Sequence, residues 1–286
     1  MSVIIAIFQA IFQALTYILP ISESGHTAVF RDFAGRADAT VGSLTGAIHI
    51  GIALGIFAAS LKFFLRLGSE TFKTGRALIK REYSFNASTP NGKLVVYCLV
   101  SFLPMLLWLI PLGGKGNLYG LLKSGANNNT LLDEGVLFAV LGTLLLASVW
   151  QLGLKKDAKF LSLPAAAVAG VCSLFLVPVS GLSLIGGVFA VLVLFGVGSK
   201  LALKYSFLIA VPVLLVSGIA QIITADYRSG VIAAIIGVIL SAALSFLLVR
   251  ILSNVIKKGF LKYISYYDIS LGAIVAVIGI VQLIVR

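Results

Sequence analysis

Two short segments interrupt long apolar runs in the same way, and they constrain the fold more than any other feature of the chain. Leu19–His26 reads LPISESGH, and Val177–Ser183 reads VPVSGLS. Proline and glycine interrupt helices, and the backbone groups that they free need new partners. Inside a lipid bilayer such a break persists only where it is buried in protein or lines a wet cavity. A pair of breaks in corresponding halves of a membrane protein therefore points to a binding site near the middle of the membrane.

The composition predicts an all-helical protein that crosses the membrane several times. Of the 286 residues, 59% are hydrophobic and 11% are charged, whereas soluble domains carry about 25% charged residues. Uncharged runs such as Val136–Leu154 and Val231–Val249 reach or approach the roughly 20 residues that span a bilayer. The formal net charge is +12, but the basic residues lie in loops between apolar runs. Positively charged cytoplasmic loops explain that pattern, so no nucleic-acid partner is predicted.

The positions of lysine and arginine predict the topology, because loops rich in these residues stay in the cytoplasm. Four such segments are placed there: 62–94, 155–159, 200–204 and 250–262. Gly113–Glu134 and Asp226–Arg228 carry few cations and are placed outside. Threading the chain between these loops predicts six spans, at 41–61, 95–113, 135–153, 205–224, 230–250 and 266–285.

Two further apolar stretches, 3–34 and 161–198, each begin and end on one face of the membrane in this topology. A single crossing cannot do that, so each is predicted to be a re-entrant helical hairpin with its break at the turn. The hairpins enter from opposite faces, which implies an inverted repeat within one membrane domain, 1–286. The first repeat is placed at about 1–113 and the second at about 135–286.

The residues at the two breaks are suited to bind an anion. The first N–H groups of a helix are unpaired and its dipole is positive there, so phosphate binds well at that end. The candidate phosphate-binding residues follow the two prolines: Ser24, Gly25, Ser180, Gly181 and Ser183. The alternative is that the serines only cap the helices that follow the breaks.

His26, Glu23 and Ser22 are the candidate catalytic residues. If the chain turns helically after Pro20, positions 23 and 26 share a face. A glutamate–histidine pair beside a hydroxyl is suited to proton transfer or nucleophile activation. The alternative is a neutral His26 that is hydrogen-bonded to Glu23 and serves only the architecture. His49 has no acidic neighbour in sequence and is interpreted as structural.

Four stretches resemble the bacterial undecaprenyl-diphosphate phosphatases, the BacA or UppP family of bacitracin-resistance proteins. They are LTYILPISESGH at 15–26, the segment 48–54, the segment 178–187, and YSFLIAVP at 205–212. The resemblance implies six spans and two opposed re-entrant hairpins in the bacterial inner membrane. It also implies a hydrolase that removes one phosphate from undecaprenyl diphosphate, recycling the lipid carrier for peptidoglycan biosynthesis. In that family Mg²⁺ or Ca²⁺ assists, and the site lies between the hairpin turns.

The chain departs from the family's catalytic pattern at several positions, also at Glu23 and at Val179, Gly181 and Gly186, and three departures bear most on the chemistry. Gln13 and Tyr17 stand where the family has two glutamates, and Leu182 stands where it has an arginine. The two carboxylates would be hard oxygen ligands for a divalent cation, and arginine neutralises charge during phosphoryl transfer. No metal-binding residue is therefore predicted in this chain.

Three functions remain open on the sequence alone. The chain could hydrolyse a polyprenyl diphosphate with reduced efficiency, act as a translocase or flippase for a polyprenyl phosphate, or be a non-catalytic paralogue. An inverted repeat suits alternating access, and transport needs no metal-binding carboxylates. In each case the expected partner is a polyprenyl phosphate or diphosphate lipid, and a homodimer is left open.

Overall fold

The computed structural model describes residues 3–34, 42–113, 116–125, 130–154, 160–224 and 230–285. Several features of the predicted topology lie outside these residues, namely Lys115, Asn127–Asn129, Lys155–Lys159 and Asp226–Arg228. The described part of the chain is helical and contains no β-strand, and an isolated bridge joins Pro111 and Asn117. The prediction of an all-α fold is confirmed.

The helices follow one another with short connections. In chain order they are α1 (Val3–Ile18), α2 (Glu23–Ala34), α3 (Gly42–Ala59), α4 (Leu61–Ile79), α5 (Pro90–Phe102), a 3₁₀ helix (Pro104–Leu109), α6 (Leu118–Gly125), α7 (Leu132–Leu154), α8 (Leu163–Leu176), α9 (Leu184–Leu194), α10 (Ser199–Thr224), α11 (Val231–Lys257) and α12 (Leu261–Val285).

Five helical segments are long and apolar enough to cross a membrane: Pro90–Leu109, Leu132–Leu154, Ser199–Thr224, Val231–Lys257 and Leu261–Val285. The helices α3 and α4 also meet this criterion when they are taken together, with an angle of 90° between them. These elements match the six predicted spans in order and position. The chain is a polytopic membrane protein.

The two breaks lie where the sequence predicts them. The first tip, Leu19–Ser22, separates α1 from α2, and the second tip, Val177–Ser183, separates α8 from α9. Each contains a residue in the left-handed region, Ser22 with φ of 66° and Gly181 with φ of 92°. A non-glycine residue there is uncommon and is retained only where its surroundings hold it in place. Each tip is therefore a defined turn between two short helices.

The two broken helix pairs enter the bundle from opposite ends. After α9 the chain leads directly into α10, whose first residues line the same cavity as the last residues of α11. The next helix, α12, begins just after α11 ends. The end of α9 and the start of α12 therefore lie at the same end of the bundle. In contrast, α2 ends beside the far end of α12, where Gln282 Nε2 donates to Asp32 Oδ2 at 2.7 Å. The 25 residues of α12 separate these ends by about 37 Å.

The element order places a broken pair before three long segments in each half of the chain. The first set is α1–α2 with α3, α5 and α7, and the second is α8–α9 with α10, α11 and α12. The packing is reciprocal between the two sets: α1 of the first set packs on α11 of the second, and α8 of the second set packs on α5 of the first. The repeat boundaries near 113 and 135 stay a prediction.

Small residues allow the long helices to pack closely. A Cβ at Gly135 would collide with the backbone of Ala276, so α7 and α12 touch almost directly. In the same way, a Cβ at Gly46 on α3 would lie 2.6 Å from the carbonyl oxygen of Gly218 on α10. Helices inside a membrane associate mainly through such close packing, because lipid offers no hydrophobic drive between them. These contacts fix the frame that holds the tips.

The α7–α12 contact predicts the effect of Gly135→Ala. The added methyl group meets backbone atoms of Ala276, which cannot rotate away, so the two helices must separate. Overpacking of this kind costs about 1–3 kcal/mol. We expect a lower midpoint of thermal unfolding for the detergent-solubilised variant, measured by tryptophan fluorescence.

Gly153→Ala, on the same helix, is the matched control. A Cβ at Gly153 meets nothing within 4 Å, and alanine favours a helix over glycine by about 1 kcal/mol. The control should unfold at the same temperature as the unchanged chain or higher. Equal loss of stability in both variants would contradict the close α7–α12 contact.

Candidate functional site

The two tips touch each other, and glycine makes the contact close. A Cβ at Gly186, just after the second tip, would lie 2.7 Å from Pro20 Cβ in the first tip. A Cβ at Gly25 would lie 2.9 Å from the Cα of Gly181. Any larger side chain at these positions would push the tips apart. The predicted phosphate-binding residues Gly25 and Gly181 thus form the contact between the tips.

Ser22 links the tips and caps a helix with one hydroxyl group. Its Oγ donates to the carbonyl oxygen of Leu182 at 2.9 Å and accepts from the N–H of Gly25 at 3.2 Å. Ser183 caps α9 in the same way, accepting from the N–H of Gly186 at 3.2 Å. Both serines are buried. The capping role considered for these serines is therefore present, and the one proton of the Ser22 hydroxyl is donated to the Leu182 carbonyl.

A polar cavity of about 320 Å³ opens beside the tips, and a smaller cavity of about 90 Å³ adjoins it. Five helices line them with polar side chains spaced four residues apart, which share a face of a helix. These sets are Gln13 and Tyr17 on α1, Glu23, Thr27 and Arg31 on α2, Thr45 and His49 on α3, Tyr119 and Lys123 on α6, and Ser217 and Gln221 on α10. We call the two cavities together the tip cavity.

The tip cavity contains a glutamate–histidine pair, but the histidine is His49. Its Nε2 faces Glu23 Oε2 at 4.0 Å, and its Nδ1 accepts from Gln221 Nε2 at 3.3 Å. Thr27 Oγ1 donates to Glu23 Oε1 at 3.2 Å. In the neutral ring the remaining proton is then on Nε2, toward the carboxylate. The expected pairing of Glu23 with His26 is wrong, since a partner distant in sequence occupies that place.

His26 instead serves the contact between α2 and its neighbours. Its Nδ1 donates to the carbonyl oxygen of Ser22 at 2.8 Å, and its Nε2 lies 2.8 Å from the hydroxyl of Tyr267. The ring stacks on Tyr267 with centroids 5.9 Å apart and meets the edge of Phe138 at 5.0 Å. Both ring nitrogens are engaged, and His26 lines neither part of the tip cavity. This geometry favours the architectural interpretation of His26.

Two cations line the tip cavity, Arg31 on α2 and Lys123 on α6. Neither cation lies in the second tip, where Leu182 stands at the family's arginine position. Leu182 itself lines the smaller part of the cavity. Beside them, burial raises the pKa of the Tyr119 phenol, so its hydroxyl stays protonated and can donate a hydrogen bond. The cavity therefore presents positive charge and donors, as a phosphate requires.

The residues of the tip cavity do not fit a divalent cation. Magnesium and calcium need several oxygen ligands, with carboxylates among them. Within the described ranges of the chain, Glu23 is the one carboxylate that lines the cavity. Gln13 donates to Thr45 Oγ1 at 3.3 Å, and the ring of Tyr17 lies 6.0 Å from that of His49. Across the described ranges, no three His, Cys, Asp or Glu side chains are grouped to hold a metal.

The structure divides the predicted site residues into two groups. Glu23, Ser24, Ser180 and Ser183 line the tip cavity, whereas Ser22, Gly25, His26 and Gly181 build the contact around it. Sequence reasoning missed the polar residues contributed from other faces, namely Arg31, Thr45, Tyr119, Lys123 and Gln221. The spacing of four residues in each helix was the signal that could have found them.

Comparison with known proteins gives a consistent result over nearly the whole chain. The family model described as "Bacitracin resistance protein BacA" matches residues 6–274. An undecaprenyl-diphosphatase of Alkaliphilus metalliredigens is 29% identical over 280 residues, covering 94% of this chain and 96% of the relative. One of Thermosipho melanesiensis is 30% identical over 278 residues, covering 96% and 98%. The chain therefore belongs to the bacitracin resistance protein BacA family.

Proposed function

We propose that this chain hydrolyses the terminal phosphate of a polyprenyl diphosphate in the bacterial cell membrane, as its relatives' name indicates for them. One observation carries the proposal. A polar cavity between two touching helix breaks combines a Glu23–His49 pair with the cations Arg31 and Lys123. The role fits recycling of the lipid carrier for peptidoglycan biosynthesis.

The cations and donors of the tip cavity hold the diphosphate. Arg31 and Lys123 neutralise its charge, and the hydroxyls of Ser24, Ser180 and Tyr119 offer hydrogen bonds. Because the tips lie inside an apolar bundle, these interactions act where water competes less than in bulk. The polyprenyl chain stays in the surrounding lipid. The headgroup therefore reaches the cavity while its tail remains solvated by acyl chains.

Glu23 and His49 handle the proton in the chemical step. A water molecule attacks the terminal phosphorus, and the bond from that phosphorus to the bridging oxygen breaks. Glu23 accepts the proton of the water, while Thr27 donates a hydrogen bond to its Oε1 and His49 faces its Oε2 at 4.0 Å. The bridging oxygen leaves on the polyprenyl monophosphate, and inorganic phosphate is the second product. The cations stabilise the charge that spreads over the phosphoryl oxygens.

Glu23→Gln tests the proposed base. The amide cannot accept the proton, so we expect kcat for release of phosphate from a polyprenyl diphosphate to fall roughly 100-fold or more. KM should change little, because the cations that bind the headgroup remain. Glu82→Gln, which removes an exposed carboxylate after α4, is the matched control and should keep full activity. Equal activity of the two variants would contradict a role for Glu23.

The two histidines give a second test, because only one lines the tip cavity. Asparagine can replace the Nδ1–H of His26 as donor to the Ser22 carbonyl, so His26→Asn should keep most of the phosphate release per folded molecule. His49→Asn removes the group that faces Glu23, and kcat should fall at least roughly tenfold. The reverse order of the two effects would overturn the assignment.

The donor set also predicts how hydrolysis responds to metal ions. Phosphate release by the unchanged protein should persist in EDTA, because Glu23 alone cannot complete a divalent site. The double variant Gln13→Glu/Tyr17→Glu adds two carboxylates to the cavity wall. Its rate should rise roughly tenfold on adding Mg²⁺. Loss of the unchanged protein's activity in EDTA would contradict the metal-independent step.

A further inference from the structure

A second cavity, which we call the basic cavity, lies far from the tips. It has a volume of about 620 Å³ and opens between the bend that joins α3 to α4, the start of α10 and the end of α11. From Lys200 in its wall to Gln221 in the tip cavity, α10 runs 21 residues, or about 31 Å. The two cavities are therefore at opposite ends of the bundle.

The basic cavity concentrates positive charge. Five cations contribute to its wall, Lys62, Lys200, Lys204, Arg250 and Lys257, and among the residues that the structure describes no aspartate or glutamate does. Aromatic rings hold two of them, since Lys204 Nζ lies 5.3 Å from the ring centre of Phe63 and Arg250 stacks 4.2 Å from that of Phe246. In the described part of the chain none of the five forms an ion pair. Such crowding of like charge is relieved by binding an anion.

Two helix starts add to the positive potential. α4 begins after Ser60, whose side chain makes no capping hydrogen bond, and α10 begins at Ser199. Both serines line the basic cavity. Unpaired N–H groups and the positive end of the helix dipole favour an anion at such a point. The fixed charges and the helix starts thus favour the same class of ligand.

Much of the rest of the wall is apolar, with Phe63, Leu203, Phe207, Val249 and Ile256 among its side chains. A free phosphate ion makes no favourable contact with this apolar surface. A lipid covers it with the glycerol and the upper acyl chains below the headgroup. Basic pockets between membrane helices on the positively charged face are known binding sites for anionic lipid headgroups. The combination of cations and apolar side chains in one cavity favours a lipid.

We propose that the basic cavity binds the phosphate headgroup of an anionic glycerophospholipid from the membrane leaflet on that face. This site is independent of the tip cavity and of the reaction proposed there. Its ligand is recognised by charge and by the depth of the apolar wall, so a zwitterionic phospholipid binds weakly. Bound lipid would hold the bend between α3 and α4 against the first turn of α10.

Native mass spectrometry of the purified full chain tests the proposal, with phosphatidylglycerol as the probe. Lys204→Gln/Arg250→Gln removes two cations from the basic cavity and should raise the dissociation constant about 30-fold, roughly fivefold for each cation. Arg76→Gln/Lys80→Gln removes two exposed cations of the α4 region outside the cavity. This matched control should change the constant less than twofold. Lys204→Arg/Arg250→Lys keeps the charge and should retain binding.

The outcomes separate lipid binding from its alternatives. Equal weakening in both double variants would mean general surface attraction, and no weakening in the cavity variant would place the lipid elsewhere. Either result overturns the proposal. Phosphatidylcholine should bind every variant with the same low affinity. Complete displacement of phosphatidylglycerol by millimolar inorganic phosphate would indicate a free-phosphate site and would also overturn it.

Discussion

The contact between the two helix breaks is the interaction on which the rest of the structure depends. A break inside a bilayer leaves backbone groups without partners, and the first tip supplies a partner to the second. Ser22 donates across to the carbonyl oxygen of Leu182 while it caps its own helix. Glycine at positions 25, 181 and 186 allows this approach, because a Cβ at any of them would meet a neighbouring atom closer than 3.0 Å. The tip cavity exists because the two turns are held at that distance.

The tip cavity differs from the expected family pattern in the side chains that carry its charges. The positions of the family's two glutamates still face the cavity, where Gln13 and Tyr17 now stand. The charged side chains of the cavity are on other helices: Glu23 and Arg31 are on α2, and Lys123 is on α6. The positions of the family's two glutamates thus line the cavity without supplying carboxylate ligands for a divalent cation. Phosphoryl transfer that relies on side-chain cations is compatible with this set.

Local signals in the sequence predicted most of the fold, and long-range contacts account for what was missed. The breaks at Pro20 and Pro178 and the apolar runs are properties of neighbouring residues, so their positions could be read directly. The partner of Glu23 could not, because His49 lies on another helix and nothing near it in sequence is acidic. Pro104 and Pro212 show the same limit. The residues around the two prolines are similar. Nevertheless, Pro104 starts a 3₁₀ helix, whereas Pro212 lies inside the continuous helix α10.

Opposite entry of the two broken pairs is the central claim, and cysteine accessibility tests it most directly. Phe33 near the end of α2 and Phe195 just after α9 have 67% and 43% of their surface exposed. Each is replaced by cysteine in a chain whose Cys98 and Cys172 have been changed to serine. A membrane-impermeant thiol reagent is then applied to right-side-out and inverted vesicles. The account predicts that the two positions react from opposite sides of the membrane. Reaction of both from the same side would contradict it.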